Sequence, residues 1–287
     1  MAARILDGKK IAEKILGHAK LEVAALKEKG VTPKLVVVQV GDNPASTIYV
    51  EKKHRACIEA GMNSEIRKFP EYISEEMFLT ELRRLNADEK VHGILVQLPL
   101  PASISEQKVL ESVDPAKDVD GFHPINQGKN FSGADCLRPA TPTGIMRLLE
   151  ETRVKLPGKN AVVLGRSNIV GKPIAVMLIN AGCTVTVCNS KTKNLDYYAK
   201  NADIIVSATG KAKIVTAKMV KKGAIVIDVG INRVEGDGNK KITGDVDFEG
   251  VRKKAGWITP VPGGVGPMTI ASVIENTLKA CRGQKNA

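Results

Sequence analysis

Apolar residues recur at helical spacing near the start of the chain. Ile11, Ile15, Ala19, Val23 and Leu26 share one face, and Gly30 supplies a stop. Leu35-Val36-Val37-Val38 then runs without a polar break, the pattern of a strand buried on both faces. The alternation continues with a predicted helix over about 45–60 ended by Gly61, a strand over 66–69, a helix over 75–86, and a second buried strand at Gly93-Ile94-Leu95-Val96. Strands that alternate with helices predict a parallel sheet covered by helices, with functional groups at the strand ends.

Periodicity is lost over residues 98–143, which fill with Pro, Gly and Asp and read as loops lining a cleft before a second lobe. That lobe opens with the strand Ala161-Val162-Val163-Leu164 and an apolar helix reaching about Ala181. Strands follow at 184–188, 204–207 and 224–229, and a closing helix at 268–279.

Composition changes this picture only slightly. The 287 residues are 43% hydrophobic and 26% charged, enough for two compact lobes, while 3% aromatics leaves the cores to Val, Ile, Leu and Ala. The formal net charge is +12, but the lysines are scattered in pairs such as Lys9-Lys10 and Lys221-Lys222. No basic stripe or interleaved aromatic platform exists, so nucleic acid is not an expected partner, although the excess charge favours anionic substrates. Five cysteines lie at no CxxC or metal-ligand spacing, which predicts neither a disulfide framework nor a metal site. Charges interrupt the N-terminal segment, and no apolar run reaches bilayer length. A cytoplasmic protein without a membrane partner is the expectation.

Candidate chemistry begins at the turn from strand 161–164 into its helix. Gly165 and Gly171 bracket this turn, where backbone amides and the helix dipole can hold a pyrophosphate. Ser167 sits where the common GxGxxG pattern has its second glycine, so glycines kept for packing alone explain this spacing equally well. The next strand ends in Asn189-Ser190-Lys191, without the acid that usually bonds the ribose of NAD. Arg166, Ser190 and Lys191 suit a 2′-phosphate instead, which favours NADP.

Tyr49 and Lys53 lie four apart on one face of a predicted helix. A lysine can act as acid or base near neutral pH where burial or a cation lowers its pKa, yet the same spacing is common on solvated helices. Val96-Gln97-Leu98-Pro99-Leu100-Pro101 places an amide at the end of a buried strand stopped by prolines. Lys117-Asp118-Val119-Asp120-Gly121 presents acids in a turn, either as simple capping or with Asp120 bonding the N–H groups of a heterocycle. Asp228-Val229-Gly230-Ile231-Asn232 and Pro262-Gly263-Gly264-Val265-Gly266-Pro267 are loops whose backbone can approach a ligand closely.

In this order, over some 220 residues, these motifs resemble the bifunctional methylenetetrahydrofolate dehydrogenase/cyclohydrolase family nearly end to end. The resemblance implies two α/β lobes, an N-terminal parallel-sheet catalytic domain and a Rossmann-like NADP-binding domain, with a cleft between them. The first would span residues 1–140, completed by the closing helix from about 268 to 287, and the second 141–267. It implies oxidation of 5,10-methylenetetrahydrofolate to the methenyl form with NADP, then hydrolysis to 10-formyltetrahydrofolate. That chemistry would place the chain in one-carbon metabolism, serving purine, methionine and histidine biosynthesis. Lys53 would be the central catalytic residue, with Gln97 bonded to it and tuning its protonation. Tyr49 would stack on the aminobenzoyl ring and Asp120 hold the pterin. Val50, Val96, Leu98, Pro262, Gly263, Gly264, Val265 and Gly266 would line the folate site. Gly165, Arg166, Ser167, Ser190 and Ile231 would contact NADP. Homodimerisation through the nucleotide lobe is implied as well.

Two positions depart from the family pattern. Ala140 stands where a cysteine is usual, so no thiol acts there, and Asn189 stands where a histidine is common, which leaves phosphate recognition less cationic. A dehydrogenase of similar build acting on a shikimate-like or amino-acid substrate would explain the nucleotide motif, though not Gln97 or the 262–266 loop. A basic nucleic-acid binder would explain only the charge.

Overall fold

The computed structural model describes residues 2–236 and 239–285. Along the chain run β1 (Arg4–Ile5), α1 (Gly8–Glu28), β2 (Lys34–Val40), α2 (Pro44–Glu59), β3 (Asn63–Phe69), α3 (Glu75–Ala87) and β4 (Gly93–Val96). Then come α4 (Glu106–Ser112), α5 (Pro124–Ser132), α6 (Ala140–Glu151), β5 (Asn160–Leu164), α7 (Gly171–Asn180), β6 (Thr184–Cys188) and α8 (Leu195–Ala199). The chain finishes with β7 (Ile204–Ser207), β8 (Ile225–Asp228), β9 (Asn232–Gly236), β10 (Asn239–Thr243), α9 (Phe248–Arg252), β11 (Trp257–Ile258) and α10 (Val265–Lys285).

Two units result, one of Glu13–Ala140 with Ile270–Ala287, the other of Met1–Ala12 with Thr141–Thr269. In the first, β2 lies between β3 and β4 in a parallel three-stranded sheet. Leu35, Val36, Val37 and Val38 are all fully buried, because alternate side chains of β2 enter opposite cores. Leu35 and Val37 pack with Val23 of α1, Val50 and Cys57 of α2 and Ile274 of α10. Val36 and Val38 pack with Phe78, Leu82 and Leu85 of α3 and Val109 of α4.

The second unit holds a six-stranded parallel sheet in the order β1-β11-β8-β7-β5-β6. Its strand order reverses at β5: the chain moves out to β6, then crosses back to β7 on the other side. Such a reversal opens a crevice beyond the carboxyl ends of β5 and β7, the place where doubly wound sheets bind nucleotides. Val162, Leu164, Ile205, Val226 and Ile258 fill one face of this sheet.

The structure corrects the sequence reading in three places. Residues 98–143 are not aperiodic loop: α4, α5 and the start of α6 lie there. Both α4 and α5 are too short for a clear period, and α5 buries polar Asn126 and Asn130 on its inner face. Their signals are terminal ones: Ser105 caps α4, while α5 has Pro124 in its first turn and Gly133 in the left-handed conformation past its end. Secondly, α10 begins at Val265, upstream of the expected 268, because Pro267 in a first turn gives up no helical hydrogen bond. Thirdly, Arg4–Ile5 pairs with Trp257–Ile258, which ties the first twelve residues to the sheet of the second unit. The antiparallel pair β9 and β10 was also unforeseen.

Candidate functional site

Helix α2 starts cleanly because Asn43 Oδ1 accepts the N–H groups of Ala45 at 2.9 Å and Ser46 at 3.2 Å, with Pro44 at the first position. Its buried stripe is Ser46, Val50, Lys53 and Cys57, so Lys53 takes a place that helical spacing would give to an apolar residue. A lysine in such a row needs a partner at its head, and the end of β4 supplies it. Lys53 Nζ donates to Gln97 Oε1 at 3.2 Å. Gln97 Nε2 in turn donates to the Leu98 carbonyl at 2.7 Å, which aims the amide oxygen at the lysine. The Leu98 carbonyl also accepts from the Ser46 hydroxyl at 3.4 Å.

Asp120 completes this group through the turn that follows α4. Lys117 Nζ donates to the carbonyls of Asn86 at 2.7 Å and Asp88 at 2.8 Å, satisfying the end of α3. Asp118 accepts from the N–H groups of Phe122 at 3.1 Å and His123 at 2.8 Å and from Asn126 Nδ2 at 2.9 Å, which closes the turn. Val119 enters the core. Gly121, at φ +71, leaves room for the backbone of Arg138 and Pro139, which a Cβ would meet at 2.5 Å. From α10, Asn276 Nδ2 donates to the carbonyls of Val119 and Arg138, both at 2.8 Å. Asp120 is thereby held in a buried position where loss of solvent pushes its pKa up, opposed by the charge of Lys53.

Lys53, Gln97 and Asp120 thus come together at the strand ends of one sheet. Tyr49 sits one turn before Lys53, half-buried, with Lys52 Nζ 6.0 Å from its ring centroid. Val50 and Val96 point into the two cores, and Leu98 is half-buried. Pro262, Gly263, Gly264, Val265 and Gly266 belong to the other unit, where the Gly263 carbonyl accepts the Lys9 N–H at 3.0 Å. A Cβ at Gly8 would lie 1.8 Å from the Gly264 carbonyl oxygen, so helix α1 starts hard against this loop.

In the nucleotide unit a concavity of about 240 Å³ opens at the reversal of strand order. Gly165, Arg166, Asn189, Ser190, Thr209 and Lys211 form its polar rim, with Leu164, Leu195 and Ile214 among its apolar walls. Gly165 has φ +119 and approaches β7 so closely that a Cβ would lie 2.3 Å from the Ala208 carbonyl. A Cβ at Gly171 would lie equally close, 2.3 Å, to the Gly165 carbonyl. Ser167 Oγ accepts the N–H groups of Val170 and Gly171, both at 3.2 Å, and so shapes the entry to α7. Asn189 Oδ1 takes the Lys191 N–H at 2.9 Å, which leaves Ser190 at the tip of a tight turn. An apolar slot beside a rim of Arg166, Ser190 and Lys211, with no acid at the end of β6, fits a dinucleotide carrying a 2′-phosphate. Ile231 lies between β8 and β9 outside the cavity lining, half exposed.

Thr209, Lys211, Leu195 and Ile214 were not foreseen, since no motif spans them and only the crossover to β7 brings them beside Gly165. Asn276 was likewise missed, because it is one of several polar residues along the closing helix and nothing in the spacing sets it apart. Five cysteines are present, all buried and none in a disulfide.

Comparison with known proteins agrees with this geometry. The model of the tetrahydrofolate dehydrogenase/cyclohydrolase catalytic domain matches residues 6–120, and that of the NAD(P)-binding domain matches 139–285. A bifunctional protein FolD from Halalkalibacterium halodurans is 53% identical over 98% of this chain and 100% of its own. The crystal structure of a FolD methylenetetrahydrofolate dehydrogenase/cyclohydrolase from Campylobacter jejuni is 50% identical and superposes with a TM-score of 0.96, covering 98% of this chain and 99% of that one. A Trypanosoma brucei enzyme solved with NADP cofactor and inhibitor is 36% identical over the whole of both chains, also with a TM-score of 0.96. With both family models matched in order along its length, the chain belongs to the tetrahydrofolate dehydrogenase/cyclohydrolase family.

Proposed function

We propose that the chain performs both reactions of its family, and that Lys53, Gln97 and Asp120 carry the folate chemistry. The enzyme oxidises 5,10-methylenetetrahydrofolate with NADP and hydrolyses the resulting methenyl form to 10-formyltetrahydrofolate. The observation that carries the residue assignment is the partly buried contact of Lys53 Nζ with Gln97 Oε1 at 3.2 Å, at the carboxyl end of β4.

Each residue has a distinct task. Asp120 offers a buried carboxyl to the polar edge of the pterin, and the ring of Tyr49 stacks on the aminobenzoyl group. NADP supplies the hydride acceptor, and the protein's share of that step is alignment. Arg166, Ser190 and Lys211 bind the cofactor's phosphates, Gly165 and Ser167 shape the pyrophosphate turn, and Leu195 and Ile214 bracket the base. Ile231 and the 262–266 loop supply backbone contacts to the ligands. The cyclohydrolase step then adds water to the cationic methenyl carbon. Lys53 gives a proton to the departing ring nitrogen and recovers one from the adduct's hydroxyl as the C–N bond breaks and the formyl C=O forms, the attacking water's other proton leaving to solvent. Gln97, able only to accept at Oε1, keeps the lysine Nζ in place. The unit of residues 13–140 and 270–287 carries the folate chemistry, and that of 1–12 and 141–269 holds the cofactor.

The protein acts in the cytoplasm in one-carbon metabolism, supplying formyl and methenyl carriers for purine, methionine and histidine synthesis. Among the described residues no helix is long and apolar enough to cross a membrane. The wild type and Lys53→Met, supplied with methylenetetrahydrofolate and either NADP or NAD, test the assignment by absorbance. Wild type is expected to make NADPH and formyl product, and the variant to lose formyl production by roughly 100-fold or more. Undiminished formyl production by the variant would remove Lys53 from the mechanism.

A further inference from the structure

One buried carboxylate of the nucleotide unit has no part in this chemistry. Asp245, just after β10, is 0% exposed and gathers hydrogen bonds from two other segments. Its Oδ2 accepts from the Ser207 hydroxyl at 3.1 Å, the Thr209 N–H at 2.6 Å, the Thr209 hydroxyl at 2.8 Å and the Gly210 N–H at 3.3 Å. Its Oδ1 accepts from Asn232 Nδ2 at 3.0 Å. Ser207 ends β7 and Thr209 and Gly210 form the loop beyond it, while Asn232 opens β9 directly after Ile231.

A second carboxylate fixes Asp245 from behind. Asp228 accepts the N–H groups of Asp245, Val246 and Gly230, each at 2.9 Å. The two acids leave no space for side chains beside them. A Cβ at Gly230 would lie 2.0 Å from Asp245 Oδ1, and one at Gly244 would lie 1.9 Å from Asp228 Oδ2. Apolar residues would join these strands without the desolvation cost of a carboxylate. What a carboxylate adds is direction, because four donors converge on one oxygen and the loop that bears them can take only one path.

That path forms a wall of the cavity. Ala208, Thr209 and Lys211 line it, and the Lys211 N–H donates to the Thr209 hydroxyl at 3.2 Å. We propose that Asp245 is a positioning residue for the dinucleotide, holding the 208–211 wall and the Ile231–Asn232 segment in the arrangement that accepts the cofactor without touching it. The assignment rests on the reading of this cavity as the NADP site.

Steady-state kinetics on the full chain separate this role from a merely structural one. Asp245→Asn is expected to raise the KM for NADP about tenfold, the scale of one lost charge-assisted hydrogen bond. The KM for methylenetetrahydrofolate, and the hydrolysis of methenyltetrahydrofolate supplied directly, should stay within about twofold, since neither uses the wall. A NADP KM that does not move, or a uniform fall in all three quantities, overturns the proposal. Ser207→Ala, which removes one donor from a fully buried hydroxyl, is expected to show the same split at about threefold. It decides the matter by the same criteria where Asp245→Asn does not fold. Arg166→Ala serves as control for the cavity itself. If Arg166→Ala raises the NADP KM and the Asp245 and Ser207 variants do not, the positioning role alone is wrong. If Arg166→Ala also leaves it unchanged, the cavity is not the cofactor site and the positioning role falls with it.

Discussion

Asp228 shows what one residue's surroundings do to its chemistry. Burial pushes its pKa from the ordinary 3.8 up to about 6, against the pull of three backbone N–H groups. The folded chain therefore binds this proton more tightly than the unfolded chain does. The resulting stability is fully present below about pH 4 and is lost as pH rises through about 6. Asp228→Asn cannot titrate. The unfolding free energy of wild type relative to this variant should fall by on the order of 3 kcal/mol between about pH 4 and pH 7. Urea titrations at the two pH values measure it, and a constant difference between the proteins would contradict it. Cys57 illustrates burial acting on a thiol, which is pushed up to about 12 despite the hydrogen bond with Ser64 and the nearby charge of Lys53. A thiol so held stays protonated and packs as a small hydrophobe.

At the scale of elements, the junction of β5 and α7 is the most constrained segment. Its sequence spacing allowed either a nucleotide turn or glycines kept for packing. The packing reading holds, because backbone contacts require both Gly165 and Gly171, and Gly165 lines the cavity as well. Gly165→Ala places a methyl against the Ala208 carbonyl at a φ of +119, which strains the turn whatever the neighbours do. It should destabilise the protein by about 2 kcal/mol or more and abolish the rise in melting temperature that NADP produces in wild type. Thermal melts with and without NADP measure both effects, and a retained shift would show that the turn does not hold the cofactor. Short elements were the ones the hydrophobic pattern missed. In α5 the inward positions are Asn126 and Asn130, and Asn126 donates to the Pro115 carbonyl and to Asp118, so burial there does not correlate with apolarity.

At the scale of the whole molecule, β6 forms an open edge of the six-stranded sheet. Val187 on that strand is 41% exposed, and Ile179, Tyr197 and Tyr198 on the neighbouring helices are 55%, 69% and 40% exposed. An unpaired edge flanked by exposed apolar side chains is a surface that a second copy of the chain can cover. This supports the homodimer through the nucleotide lobe that the family resemblance implies. Sedimentation velocity should find a dimer for wild type and a monomer for Val187→Glu, with the charge placed at the seam. A wild type that sediments as a monomer, or a variant that stays dimeric, would place the interface elsewhere or nowhere.

Local pattern alone determined the parallel α/β architecture, the strands β2, β4, β5, β7 and β8, which stand out as short unbroken apolar runs, and the helices α1 to α3, which are long enough for their apolar spacing to be read. It also determined the family, since six motifs in one order leave little freedom, and it singled out Lys53, Gln97, Asp120 and Gly165. Tertiary structure decided what those residues meet. Lys53 and Gln97 lie 44 positions apart and touch only because α2 and β4 flank the same strand. The Asp120 turn is clamped by Asn276 from 157 positions beyond Val119, and Asp245 reaches back 38 positions to Ser207. Contacts of that range leave no periodic trace, because they depend on which strands the crossovers make neighbours.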